Sequence, residues 1–273
     1  MEMLALSDTR PDTVADWLEL RLILKNTEIL KGQIFEDIGD GLDDEDRCDI
    51  WNKFKEREAL YGAEGPFKVT DDSITPKIRT CDNPAYTMCL LLNYFGNKRN
   101  AGDTGKIFER LSAFAVKNYL DGEVRIYGYP RANNLTSIIT EMNEKLGSQR
   151  IPTHGDRGVD LIVWKPFKDK HPSQIVVLMQ CASGKNWRAK TRDVGITAWS
   201  HYVNWAEEVM KGFSTPTIIE RGDAFYEAAY DAGVLLDRPR LYHYTTNLRE
   251  IDRQLYDEIK AWCRPKISSL PKG

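Results

Sequence analysis

Two short apolar runs lie close together in this chain, GVDLIVW at residues 158–164 and QIVVLMQCA at residues 174–182, joined by a polar connection that carries two prolines. Runs of this length, rich in Val, Ile and Leu, read as buried strands. Adjacent buried strands demand a sheet with both faces covered, which narrows the fold more than any other feature of the chain. Each run holds one polar side chain, Asp160 in the first and Gln180 in the second. Strict alternation puts Asp160, Ile162 and Trp164 on one face, and Val176, Leu178, Gln180 and Ala182 on one face of the second strand. A carboxylate among apolar neighbours is costly unless it is paired or holds a metal ion.

The surrounding pattern extends this sheet. The strongest amphipathic helix spans residues 102–121, with Ile107, Phe108, Leu111, Phe114 and Ala115 on its apolar face and Asp103 or Thr104 as cap. Glu109 shares the flank of that stripe with Lys106, Ala113 and Val116. EVRIYGYPR reads as a strand. NNLTSIITEMNEKLG reads as a helix capped by Asn133 or Asn134 and ended by Gly147. Further on, TPTIIE reads as a buried strand, GDAFYEAAYDAG as a helix, VLLDRPRLYHY as a last strand and LREIDRQLYDEIKAWC as a C-terminal helix. The expectation is an α/β fold, a mixed central sheet flanked by helices, over residues 99–273.

Residues 1–98 read as an N-terminal helical region. A helix is expected over residues 12–38, its stripe of Val14, Trp17, Leu18, Leu22 and Ile29 facing its own domain or a protein partner. GDGLDDEDRCD, residues 39–49, is acidic but lacks the alternating acidic spacing of a calcium loop, so it reads as a solvated loop before the helix DIWNKFKEREALYG. GPFKVTDDSITPKIRT reads as an irregular linker and NPAYTMCLLLNYF as a short buried helix. The AGDTGKI and ASGKNW stretches fail the phosphate-loop spacing, which removes nucleotide hydrolysis by that route.

A helix bearing Glu109, then a strand opening on Asp160, a hairpin, and a strand bearing Gln180 resembles the PD-(D/E)xK restriction-endonuclease-like superfamily of nucleases. The resemblance covers roughly residues 102–240. It implies a restriction-endonuclease-like core in which Asp160 is the principal metal ligand, Glu109 a second, and the Cys181 main-chain carbonyl a third. Gln180 matches the acid-or-Gln position of the second strand. Two residues further on, where the family has Lys, stands Ala182; Lys185 and Lys190 lie just beyond as replacements. The implied activity is Mg²⁺-dependent (or Mn²⁺-dependent) endonucleolytic hydrolysis of phosphodiester bonds in double-stranded DNA, in restriction or anti-phage defence. The missing motif lysine keeps a second reading open, a catalytically inactive module that binds nucleic acid or a defence partner.

Charge must then be local. A net charge of −3 advertises no global basic field, so nucleic-acid contact has to come from a patch. KNWRAKTR supplies one: Lys185, Arg188, Lys190 and Arg192, with Trp187 between them as a ring for stacking on a base or filling the core. Arg157 stands beside the Asp160 strand, and Trp199 and Trp205 carry the same two readings as Trp187. Asp156 is a second acid near the site or a turn residue, and His154 a base or an unengaged loop residue. Arg238 and Arg240 form a rim or pair with acids. Five dispersed cysteines without metal-ligand spacing point to reduced thiols in a cytoplasmic protein. No apolar run approaches the ~20 residues that cross a bilayer, so no membrane role is expected. A homodimer follows only from the resemblance, since cutting two strands calls for two such sites.

Overall fold

The computed structural model describes residues 11–32, 43–80, 82–95, 103–128, 134–149 and 157–270. The chain divides into two compact units, Met1–Phe95 together with Tyr256–Gly273, and Gly96–Leu255. The fold is mixed α/β: a five-stranded mixed sheet flanked by helices, and an N-terminal helical region.

The first unit opens with α1 (Pro11–Lys25), β1 (Ile29–Leu30), α2 (Asp44–Tyr61), β2 (Phe67–Val69), β3 (Ser73–Pro76) and α3 (Pro84–Phe95). The helix expected over 12–38 stops early. Asn26 takes a left-handed φ of 50°, and Ile29 and Leu30 pair antiparallel with β3 instead. Residues 33–38 lie outside the described residues. The apolar stripe of α1 is buried inside its own unit, where α1 packs on α2 and α3, so that face is not open to a partner.

Glu19 is fully buried on α1. It accepts from Arg57 Nη1 (2.9 Å), Tyr86 Oη (2.6 Å) and Tyr61 Oη (3.3 Å), so the charge is paired and satisfied. The acidic stretch read as loop is partly helix: Asp43 caps α2 through Asp46 N at 2.8 Å, with Asp44, Glu45 and Asp46 in the first turn. Residues 39–42 lie outside the described residues. The supposed linker contains the β2–β3 hairpin, closed at Thr70 and Ser73, whose Oγ1 and backbone bonds replace the glycine turn the sequence lacks.

The second unit contains α4 (Thr104–Leu120), β4 (Glu123–Ile126), α5 (Leu135–Glu141), β5 (Lys145–Leu146), β6 (Leu161–Lys165), β7 (Ile175–Cys181), a 3₁₀ turn (Trp187–Lys190), α6 (Ile196–Trp199), β8 (Val203–Asn204), β9 (Met210–Ser214), α7 (Asp223–Ala232), β10 (Val234–Leu236), α8 (Arg238–Tyr244) and α9 (Leu248–Ile251). The sheet order is β10-β9-β7-β6-β4. The pairs β4–β6 and β6–β7 are antiparallel, whereas β7–β9 and β9–β10 are parallel. One face carries Ile162, Trp164, Val176 and Leu178 under α5, Trp199, Tyr202 and Val203. On the other, Ser112 of α4 lies 2.8 Å from Ser214, the β9 partner of Cys181. Burial on both faces is why β6 and β7 are continuous apolar runs rather than alternating ones.

Several boundaries depart from expectation. Asn134 caps α5 as one of the two candidates, through Thr136 N at 2.9 Å, but Asn143, with φ of 56°, turns the chain before Gly147. Asn133 lies outside the described residues. The strand expected at TPTIIE is β9, one segment earlier, where Gly212 lets the backbone approach Val177 and Met179; a Cβ there would sit 2.8 Å from Val177 Cγ1. Pro216 then stops the pairing, having no N–H to donate. The last strand ends at Leu236. Asp237 caps α8 by accepting from Arg240 N, with Pro239 in the first turn, so Arg238–Tyr244 is helix. Helix Arg253–Ser268, read from the sequence with the core, falls with the first unit from Tyr256 onward.

Candidate metal centre

The β6–β7 ladder ends at Leu161 and Met179, and Asp160 stands at the point where the two strands part. Its main chain is held from both sides. Asp160 N donates to Met179 O at 2.9 Å, and Asp160 O accepts from Tyr127 N at 2.7 Å and Gly128 N at 3.1 Å. Its side chain then takes over from the missing ladder bond: Cys181 N donates to Asp160 Oδ2 at 2.7 Å. One carboxylate oxygen is thereby committed to the protein.

The other oxygen faces Gly128. A Cβ at residue 128 would lie 3.1 Å from Asp160 Oδ1 and 3.2 Å from Glu109 Oε2, so the two carboxylates converge on one small space that only a glycine leaves open. Glu109 reaches it from α4, the helix that packs on β4, β6 and β7. Both acids are half-buried. The Cys181 thiol registers them as well. Burial pushes its pKa well up, the carboxylates of Asp160 and Glu109 push it further, and a hydrogen bond with Ser112 opposes the shift. A thiol held protonated in this way is neither a nucleophile nor a thiolate ligand.

The β6–β7 register ends at Leu161 and Met179; next on β7 comes Gln180, whose partner on the parallel strand β9 is Phe213. Gln180 is 7% exposed. Its Nε2 donates to Asp193 Oδ2 at 3.2 Å, while its Oε1 is buried and accepts no hydrogen bond among the described residues. Such an orphaned buried oxygen suits a cation. Two carboxylates, an amide oxygen and the Cys181 carbonyl are hard donors of the kind Mg²⁺ or Mn²⁺ takes alongside several waters. Among the described residues no set of three or more His, Cys, Asp and Glu is arranged to hold a metal, so the donor set has to include these neutral oxygens.

The basic residues are less concentrated than the sequence suggests. Ala182 is 3% exposed, donates its N–H to Ser214 O at 2.8 Å and packs with Trp187 and Phe213, so the motif-lysine position is apolar core. Lys185, Arg188 and Lys190 are exposed. Arg192 is tied to Asp231 at 2.8 Å, which takes one of the expected phosphate contacts into an ion pair. Of the two readings of Trp187 the base-stacking one is corrected: at 4% exposure, with its ring 6.1 Å from Phe213, it fills the core and offers no open face to a base. Arg188 lies over that ring at 4.8 Å. Trp199 is buried in the core against Tyr127 and Tyr202, and Trp205 packs partly buried beside it. Arg238 is fully buried and so forms no rim, whereas Arg240 is exposed and donates to Leu235 O. Arg157 is exposed at a bend of two left-handed residues, with φ of 55° and 75° at Gly158. His154 and Asp156 lie outside the described residues.

Gly128 and Asp193 were not singled out from the sequence. Gly128, in YGYP just after β4, was legible only as a strand residue, and Asp193 only as a charge in a basic run. Comparison with models of protein families, with curated proteins and with solved structures finds no match for this chain. Among the described residues, no helix is long and apolar enough to cross a membrane.

Proposed function

We propose that the chain is a divalent-metal-dependent nuclease that hydrolyses phosphodiester bonds, with double-stranded DNA as substrate and restriction or anti-phage defence as its setting. The observation that carries this reading is the convergence of Glu109 and Asp160 on the space at Gly128. Asp160, Glu109, Gln180 Oε1 and the Cys181 carbonyl would hold Mg²⁺ or Mn²⁺. Bound there, the ion would supply a polarised phosphoryl oxygen and an activated water. The chain's own residues do the rest. Asp160 is fixed through Cys181 N–H and through its own main chain, which keeps its second oxygen turned to the site. Lys185 and Lys190, exposed after β7, are the cations for the phosphate and replace the missing motif lysine. Arg188 and Arg157 contact backbone phosphates. Two copies acting together would cut both strands.

Purified protein incubated with supercoiled plasmid, with Mg²⁺, with Mn²⁺ and with chelator, tests this directly. Nicking or linearisation that needs the metal and falls at least about 10³-fold in Asp160→Asn is expected. Equal cleavage by that variant removes Asp160 from the chemistry. A second reading, a nucleic-acid-binding module without catalysis, is favoured by one specific observation, the burial of Ala182 where a lysine is expected. It calls for DNA retention without cleavage in any metal.

A further inference from the structure

We propose that Asp193 is a positioning residue that sets the orientation of the Gln180 carboxamide, keeping Oε1 for a divalent cation; the proposal rests on the metal-site reading above. An ionised carboxylate only accepts hydrogen bonds, so the amide must turn its Nε2 toward Asp193 Oδ2, as it does at 3.2 Å. The flipped amide would set oxygen against oxygen. With Nε2 committed, Oε1 is left buried on a side chain that is 7% exposed, and no described residue donates to it. A native protein rarely leaves a buried acceptor in this state without a ligand or water to meet it.

Asp193 is itself held. Its N–H donates to Lys190 O at 3.1 Å, and its carbonyl lies against Gly158, where a Cβ would sit 2.7 Å from it. Gly158 has a φ of 75° and stands two residues before Asp160. Asp193 therefore touches both the bend that precedes Asp160 and the Gln180 amide. The pairing also accounts for a neutral amide at residue 180: a glutamate there would meet Asp193 as a like charge.

Mn²⁺ titration calorimetry on the full chain tests this in wild type, Asp193→Asn, Gln180→Glu and the Gln180→Glu/Asp193→Asn double variant, with metal-free thermal unfolding in parallel. Asparagine can donate to Oε1 and so lets the amide turn. In the wild-type background, Asp193→Asn is expected to weaken Mn²⁺ binding by about tenfold or more. In the Gln180→Glu background the same change is expected to leave binding unchanged or tighten it, because it removes a repulsive charge from a side chain whose two oxygens both serve. A purely structural role would weaken binding in both. Asp193→Ser, which also removes the fixed acceptor, is read in the same way should Asp193→Asn unfold. Weakening of the same size in both backgrounds, or none in the first, overturns the positioning role alone. Wild type that binds no Mn²⁺ at millimolar concentration overturns the metal-site reading and this inference with it.

Discussion

Gly128 shows how much of the site rests on an atom that is missing. Its Cβ would stand 3.1 Å from one carboxylate oxygen and 3.2 Å from another, close enough to push both aside. Gly128→Ala is expected to weaken Mn²⁺ binding roughly tenfold, on the scale of an outer-shell change. The midpoint of thermal unfolding should move by no more than about 4 °C, because the backbone at this glycine is not left-handed. Calorimetric titration beside a melting curve separates the two effects; a large fall in melting temperature with unchanged metal affinity would assign Gly128 to folding instead. Asp160 and Gln180 were legible in the sequence because a charge or an amide inside an apolar strand stands out against its neighbours. Glu109 was legible only through its place in a resemblance. Gly128 and Asp193 were not legible, since each acts through contacts more than ten residues away in sequence and neither breaks a local pattern. For Trp187 the sequence left two readings, stacking platform or core, and its burial selects the second.

At the scale of elements, the helices and the central strands followed from periodicity, while the short pieces did not. The β2–β3 hairpin lacks a glycine turn and closes through Thr70, so it read as linker. β9 holds a lysine and a glycine in five residues and is recognisable only by its parallel partner β7, whereas the apolar TPTIIE beside it drew the assignment. α8 carried its own signal, Asp237 before Arg238 and Pro239, overridden by the apolar VLL run ahead of it. Helix Arg253–Ser268 and α3 make a testable pair through their thiols. Burial, with Cys89 as a second cause, pushes Cys263 up to about 12. A thiol whose folded pKa is raised contributes stability at pH below its unfolded value, near 9.0, and loses it as pH rises toward 12. Wild type is therefore expected to lose denaturant stability between pH 9 and pH 11 more steeply than Cys263→Ala, by up to about 1.4 kcal/mol per pH unit. Urea midpoints for the two proteins at those pH values check it, and parallel lines would contradict it.

For the molecule as a whole, every candidate ligand falls within the unit Gly96–Leu255, while in the unit that begins the chain the buried Glu19 accepts from Arg57, Tyr61 and Tyr86. The sequence conveyed the α/β class because two adjacent runs buried on both faces leave few alternatives. It did not convey that the last helix would group with the first hundred residues, which depends on packing across most of the chain's length. With a net charge of −3 and Arg192 already paired, the proposed function needs local exposed cations such as Lys185, Arg188 and Lys190 for a polyanion, and a metal ion to neutralise the paired carboxylates. The most direct test is anomalous diffraction from crystals of the full chain soaked in Mn²⁺. One peak within coordination distance of Asp160 Oδ1 and Glu109 Oε2, also reaching Gln180 Oε1 or the Cys181 carbonyl, is the expected result. Well-ordered carboxylates with no peak between them at millimolar Mn²⁺ would contradict the account.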